Sequence, residues 1–95
     1  MSETVLTIVI CYDVVSAGPR RRIAKLLEER MVRVQQSVFE ARMTARAANR
    51  LFDRARRMAE EEDSLRMYVL PRDGLTRSRA AGGAPLPEEG SFWIL

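Results

Sequence analysis

The sequence predicts a domain of the α+β class, and three observations carry that prediction. Short stretches rich in β-branched apolar residues alternate with segments whose apolar residues recur at helical spacing. Their order is strand, helix, a divided strand region, helix, strand, which sets helices and antiparallel strands around one core. The chain is also short, at 95 residues with 46% hydrophobic and 31% charged. That suits one modest core, and a chain of this size gains stability by oligomerising, so a homodimer is expected.

Residues 5–15 are almost continuously apolar, the pattern of a central strand covered on at least one face. Ser16, Ala17 and Gly18 break it. Pro19 suits the first turn of a helix over residues 19–30, with Ile23, Ala24, Leu26, Leu27 and then Met31 at helical spacing. In residues 32–43 the alternation changes phase: Val32, Val34 and Val38 share even positions, whereas Phe39, Ala41 and Met43 share odd ones. The change implies a bulge or tight turn near Gln36 and Ser37, giving two short strands or one kinked strand. Thr44 is a helix cap, and the longer helix it opens runs to about residue 62, with Ala48, Leu51, Phe52, Ala55, Met58 and Ala59 on one face. Asp63 and Ser64 punctuate, residues 65–70 alternate as a strand, and Pro71 ends it. Gly82, Gly83, Pro85 and Pro87 give residues 72–90 the composition of a linker, and residues 91–95, with Phe92 and Trp93, have strong strand propensity. The order of elements is the split βαβ arrangement of ferredoxin-like domains. Residues 1–71 are therefore expected to form a ferredoxin-like βαββαβ domain. Residues 72–95 are expected to supply a linker and an extra C-terminal strand that joins a sheet edge of the partner protomer.

Composition removes several chemistries. There is no histidine, which excludes imidazole bases, Ser-His triads and the usual zinc sites. Cys11 is the only cysteine, so no internal disulfide forms, and it is expected to be a small buried hydrophobe. Lys25 is the only lysine among 16 cations, which face 13 carboxylates for a formal charge of +3. The arginines supply planar, bidentate phosphate binders. No signal peptide and no membrane span is read from the sequence, and a cytoplasmic protein is expected.

Asp13 ends the first strand beside Arg20, Arg21 and Arg22, an arrangement that presents a hard-metal ligand and phosphate contacts at one surface. The competing reading is that Asp13 only orders its loop or caps the helix. Cations at a helix start oppose the macrodipole, so the arginine cluster is unfavourably placed unless it is used. Arg46, Arg50, Arg54 and Arg57 share one helical face, read either as a solvated surface or as backbone contact to a duplex. Ser37 has no histidine to activate it, so a hydrogen bond at the bulge is its natural use. Phe39 and Trp93 are read as base-stacking residues or as core and interface.

Tyr12-Asp13, the cluster at Arg20–Arg22, Arg33-Val34-Gln35-Gln36-Ser37-Val38-Phe39-Glu40 and Asp63-Ser64-Leu65-Arg66-Met67-Tyr68 together resemble the CRISPR-associated protein two family, over about residues 5–70. The resemblance implies a ferredoxin-like homodimer described both as a metal-dependent nuclease and as the central part of a complex with the CRISPR integrase. It implies that Asp13 faces its symmetry mate and shares a divalent ion, Mg2+ or Mn2+. It also ties Arg20, Arg22, Arg33, Ser37 and Phe39 to nucleic-acid handling. The loop of residues 14–18 departs from the family by lacking further acidic residues, which leaves Asp13 with few local carboxylates. Three functions follow as expectations. One is a dimeric scaffold that binds prespacer duplex DNA by its phosphates and bridges the integrase. The second is a magnesium-dependent endonuclease, cutting RNA or DNA with Asp13 from both protomers. The third, independent of the family, is a ferredoxin-like regulatory domain with a small ligand at its dimer interface.

Overall fold

Strand β1 (Val5–Asp13) occupies the interior of the sheet, as its run of apolar residues requires. In the computed structural model, which describes residues 3–87, it pairs antiparallel with β3 (Val38–Thr44) on one side and β4 (Ser64–Leu70) on the other. Strand β2 (Val32–Gln35) pairs antiparallel with the outer side of β3, so the sheet order is β2-β3-β1-β4. Two helices, α1 (Ala17–Glu28) and α2 (Ala45–Met58), follow β1 and β3.

Period-2 alternation separates the two faces of this sheet. Ile8 lies opposite Ala41 and Ile10 opposite Phe39, and on the other side Ile10 lies opposite Met67. These side chains meet Ile23, Leu26 and Leu27 of α1 and Ala47, Ala48, Leu51 and Ala55 of α2 in one cluster. Phe39, Ile8, Ile10, Ile23, Leu27 and Met43 are fully buried there, and each large apolar side chain so buried contributes roughly 1.5 to 3 kcal/mol of transfer free energy.

Element boundaries differ from the sequence reading where hydrogen bonds outweigh apolar patterning. Strand β1 stops at Asp13, two residues early. Helix α1 begins at Ala17 because the Ser16 carbonyl already accepts the Arg20 N–H (3.1 Å), placing Pro19 third in the helix, where a missing N–H costs nothing. It ends at Glu28, since the Arg30 and Met31 amides both turn back to the Leu27 carbonyl. The phase change at Gln36 and Ser37 is a turn between two strands, with a further register shift between Arg33 and Gln35. Thr44 caps α2 as expected, its hydroxyl accepting from Ala47 N–H (3.1 Å). Helix α2 closes at Met58 and not near residue 62, because Ala59 is extended and the Glu60 amide donates to Asp63 Oδ2 (2.8 Å).

Residues 72–90 are not all linker: Arg72–Thr76 form a short helix, α3, whose Leu75 is buried while α3 packs on β1 and β4. The composition of Gly82 and Gly83 does have its expected consequence, as both adopt positive φ (71° and 65°). Cys11 is half-buried and not fully enclosed. The expected strand at residues 91–95, with Phe92 and Trp93, lies outside the described residues.

Candidate nucleic-acid interface

Asp13 is exposed at the last position of β1, opposite Ser64 of β4, on the sheet face away from the helices. The chain leaving it is tightly held. Val14 is buried, and Arg20 Nη1 donates to the carbonyls of both Val14 (3.2 Å) and Val15 (3.1 Å). The Val15 amide donates to Asp63 Oδ1 (3.3 Å). Arg20, read from the sequence as a phosphate contact, thus has a scaffolding task. The sequence marks Asp63 as punctuation and as part of a motif but not as a site residue, since its partner Val15 lies 48 residues away.

A second group converges on the β2–β3 turn beside Asp13. The Gln36 carbonyl accepts from Arg33 Nε (2.9 Å) and from the Tyr12 hydroxyl (3.3 Å). The Ser37 carbonyl accepts the Tyr12 amide (3.1 Å), so half-buried Ser37 contributes its backbone at this turn. Arg33 also forms an ion pair with Glu28 (3.0 Å) and lies 5.4 Å above the centroid of the Phe39 ring. Phe39 in turn stacks on Tyr12 at 6.1 Å. This corrects the base-stacking reading of Phe39: at 0% exposure its ring is core, and its role is to support Arg33 and Tyr12. Arg20, Arg33, Val34, Gln35 and Gln36 line an open hollow of about 320 Å³, wide enough for a phosphate group. Arg20 and Arg33 are therefore brought together, close to the end of the strand that carries Asp13.

Arg22 is exposed on α1, with Arg21 and Arg20. Arg46, Arg50, Arg54 and Arg57 are all exposed on α2. At 100° per residue they fall within one stripe beside the buried face of that helix. The stripe runs lengthwise. Arg46 starts it at the far end of the sheet, near Glu3 (3.6 Å), while Arg57 ends it just before the turn that leads to Ser64, the partner of Asp13. Within α2, the last turn holds Arg56 and Arg57 where the helix dipole favours cations.

Carboxylate oxygen suits a hard divalent ion, but Asp13 is a single donor, and no group of three or more His, Cys, Asp or Glu side chains that could hold a metal occurs among the described residues. Among the described residues, one chain does not complete a magnesium or manganese site. No helix of the described residues is long and apolar enough to cross a membrane.

The family model for CRISPR associated protein Cas2 matches residues 6–77 of this chain. The chain belongs to the Cas2 family. It is 40% identical over 88 residues to a Synechocystis protein named CRISPR-associated endoribonuclease Cas2 2, an alignment covering 90% of this chain and 95% of that relative. Among solved structures, a hypothetical protein from Thermus thermophilus superposes with a TM-score of 0.71 at 34% identity, covering 90% of this chain and all of that one. A chain from a partial Cas6-RT-Cas1–Cas2 complex superposes with a TM-score of 0.69 at 28% identity, covering 95% and 99% of the two chains. These solved chains share the α+β fold found here.

Proposed function

We propose that this Cas2-family chain is a homodimeric scaffold of CRISPR adaptation that grips prespacer duplex DNA by its phosphates and bridges the Cas1 integrase. The observation that carries this reading is the placement of exposed arginines. Arg46, Arg50, Arg54 and Arg57 line α2, Arg20 and Arg33 share the hollow near the Asp13 end of the sheet, and Arg22 is exposed on α1. Exposed guanidinium groups favour sequence-tolerant contacts to the phosphate backbone. The Cas1–Cas2 pairing in the structural neighbour supports an integrase partner. The strand order β2-β3-β1-β4 supports the ferredoxin-like assignment for residues 1–71. The residues that follow α3 are assigned to reaching the partner protomer, and the scaffold to the cytoplasm. Binding of labelled duplexes of unrelated sequence by the whole chain in chelator, with and without Cas1, tests the proposal. Comparable affinity across sequences supports it; binding that requires one sequence or a metal contradicts it.

A second reading, a magnesium- or manganese-dependent endonuclease, is favoured by the endoribonuclease name of the Synechocystis relative. Because one Asp13 is an incomplete site, this activity needs the carboxylates of two copies. A divalent ion held there would supply Lewis acidity and a water more acidic than bulk water. Arg20 and Arg33 would hold the phosphodiester beside it, and Ser37 would keep the β2–β3 turn in place through its backbone. Cleavage of labelled RNA and DNA with magnesium by wild type and by Asp13→Asn separates the readings. Loss of cleavage with retained binding supports the nuclease. No cleavage by wild type leaves the scaffold alone.

A further inference from the structure

Val15 has no packing to hold it. Its side chain is 75% exposed, although it stands two residues beyond Asp13. Its backbone is held from both directions instead: Asp63 Oδ1 accepts its N–H (3.3 Å) and Arg20 Nη1 binds its carbonyl (3.1 Å). Asp63 is itself anchored in a closed turn. Its Oδ2 accepts the Glu60 amide (2.8 Å), and its own amide donates to the Glu60 carbonyl (3.0 Å). It also immediately precedes Ser64, the residue paired with Asp13 across the sheet. One carboxylate therefore ties together the exit of β1 and the entry of β4, at the point where a strand end would otherwise fray.

We propose that Asp63 is a positioning residue for Asp13, acting through the backbone of Val14 and Val15 and not through any ligand. The inference deepens the reading of Asp13 as the chemically active carboxylate and rests on it. A carboxylate that must meet its symmetry mate at an ion tolerates little wander, and a charged acceptor on the next peptide group but one removes that freedom. Arg20 completes the clamp from the opposite side, which accounts for a guanidinium at the unfavourable end of α1.

The test uses the full chain with Asp63→Ala and Asp63→Asn, read by amide hydrogen exchange and by the carboxyl carbon resonance of Asp13. In Asp63→Ala the Val15 amide is expected to exchange on the order of tenfold faster, with the Ile10 and Leu27 amides unchanged. The Asp13 carboxyl signal should move or broaden. Asp63→Asn retains one acceptor oxygen and should fall between, and it carries the test alone if the alanine variant does not fold. Unchanged Val15 exchange and an unmoved Asp13 signal in both variants would overturn the proposal. The reading of Asp13 is measured separately, by manganese electron resonance of wild type against Asp13→Asn. If those two bind manganese alike, the metal role of Asp13 is lost, while positioning is still decided by the resonance data.

Discussion

Ile8, Ile10 and Tyr12 face the helices, whereas their neighbours Thr7, Val9, Cys11 and Asp13 face the other way. The same alternation in β3 sends Phe39, Ala41 and Met43 inward and Glu40 and Arg42 outward, and in β4 it sends Arg66 and Tyr68 outward. The inward face is apolar. The outward face mixes charge with small and apolar groups, such as Arg66, whose Nη1 donates to the Tyr68 hydroxyl (2.9 Å). The contrast teaches a division of labour: truncation on the helix face should be felt as lost stability, and substitution at Asp13 on the other face as lost chemistry.

The largest effect expected from that division is on Phe39. Phe39→Ala removes a fully buried ring under Arg33 and against Tyr12, and should destabilise the chain by about 3 to 5 kcal/mol in urea unfolding. A loss well below that range would mean the ring is not core. Asp13→Asn should do the reverse: abolish any metal-dependent cleavage while shifting stability by no more than about 0.5 kcal/mol, as befits an exposed side chain. A strongly destabilised Asp13→Asn would turn Asp13 into a structural residue and break the comparison.

Arg33 joins the two kinds of surface, since its guanidinium covers a core ring while its edge lines the hollow. Arg33→Ala should cost roughly 0.5 to 1 kcal/mol, a figure limited by the exposure of both Arg33 and Glu28, and should also weaken duplex binding. The smallest effect concerns Glu40, whose carboxyl is pushed above its usual range by burial. A raised value in the folded state means the folded protein binds more protons. The stability from this group is present below the unfolded value and is lost as pH rises through the folded one. Glu40→Gln should remove that loss, so the wild type minus variant difference in urea stability should decline as pH rises through and above the ordinary carboxylate range. A difference that is flat with pH would show that burial of Glu40 has no energetic consequence.

Most of this architecture is legible in the residues. The apolar run at Ile8 and Ile10 marks an interior strand, the phase change at Gln36 and Ser37 marks a turn, and Thr44 marks the start of α2. Helix ends were less legible because Ser16 and Asp63 set them through backbone hydrogen bonds that no periodicity records. Of the site, Asp13 and the arginines are visible as types at the end of a strand and on helix faces. Alternation already groups Phe39 with Ala41 and Met43, and of its two readings the structure selects core. Asp63 belongs to a different class, since only the folding of two loops onto one another brings it to Val15. Short α3 was obscured by the glycines and prolines that follow it.

The central claim is that arginines, not Asp13, supply the hold on nucleic acid. It is tested most directly by measuring duplex affinity against salt for wild type, for Asp13→Asn and for the variant with Arg46, Arg50, Arg54 and Arg57 replaced by alanine. Each phosphate contact should add about 0.9 to the slope of log affinity against log salt. The account predicts a steep, shared slope for wild type and Asp13→Asn, and a lower affinity with a shallower slope for the arginine variant. Equal affinity and slope in the arginine variant, or collapse of binding in Asp13→Asn, would contradict it.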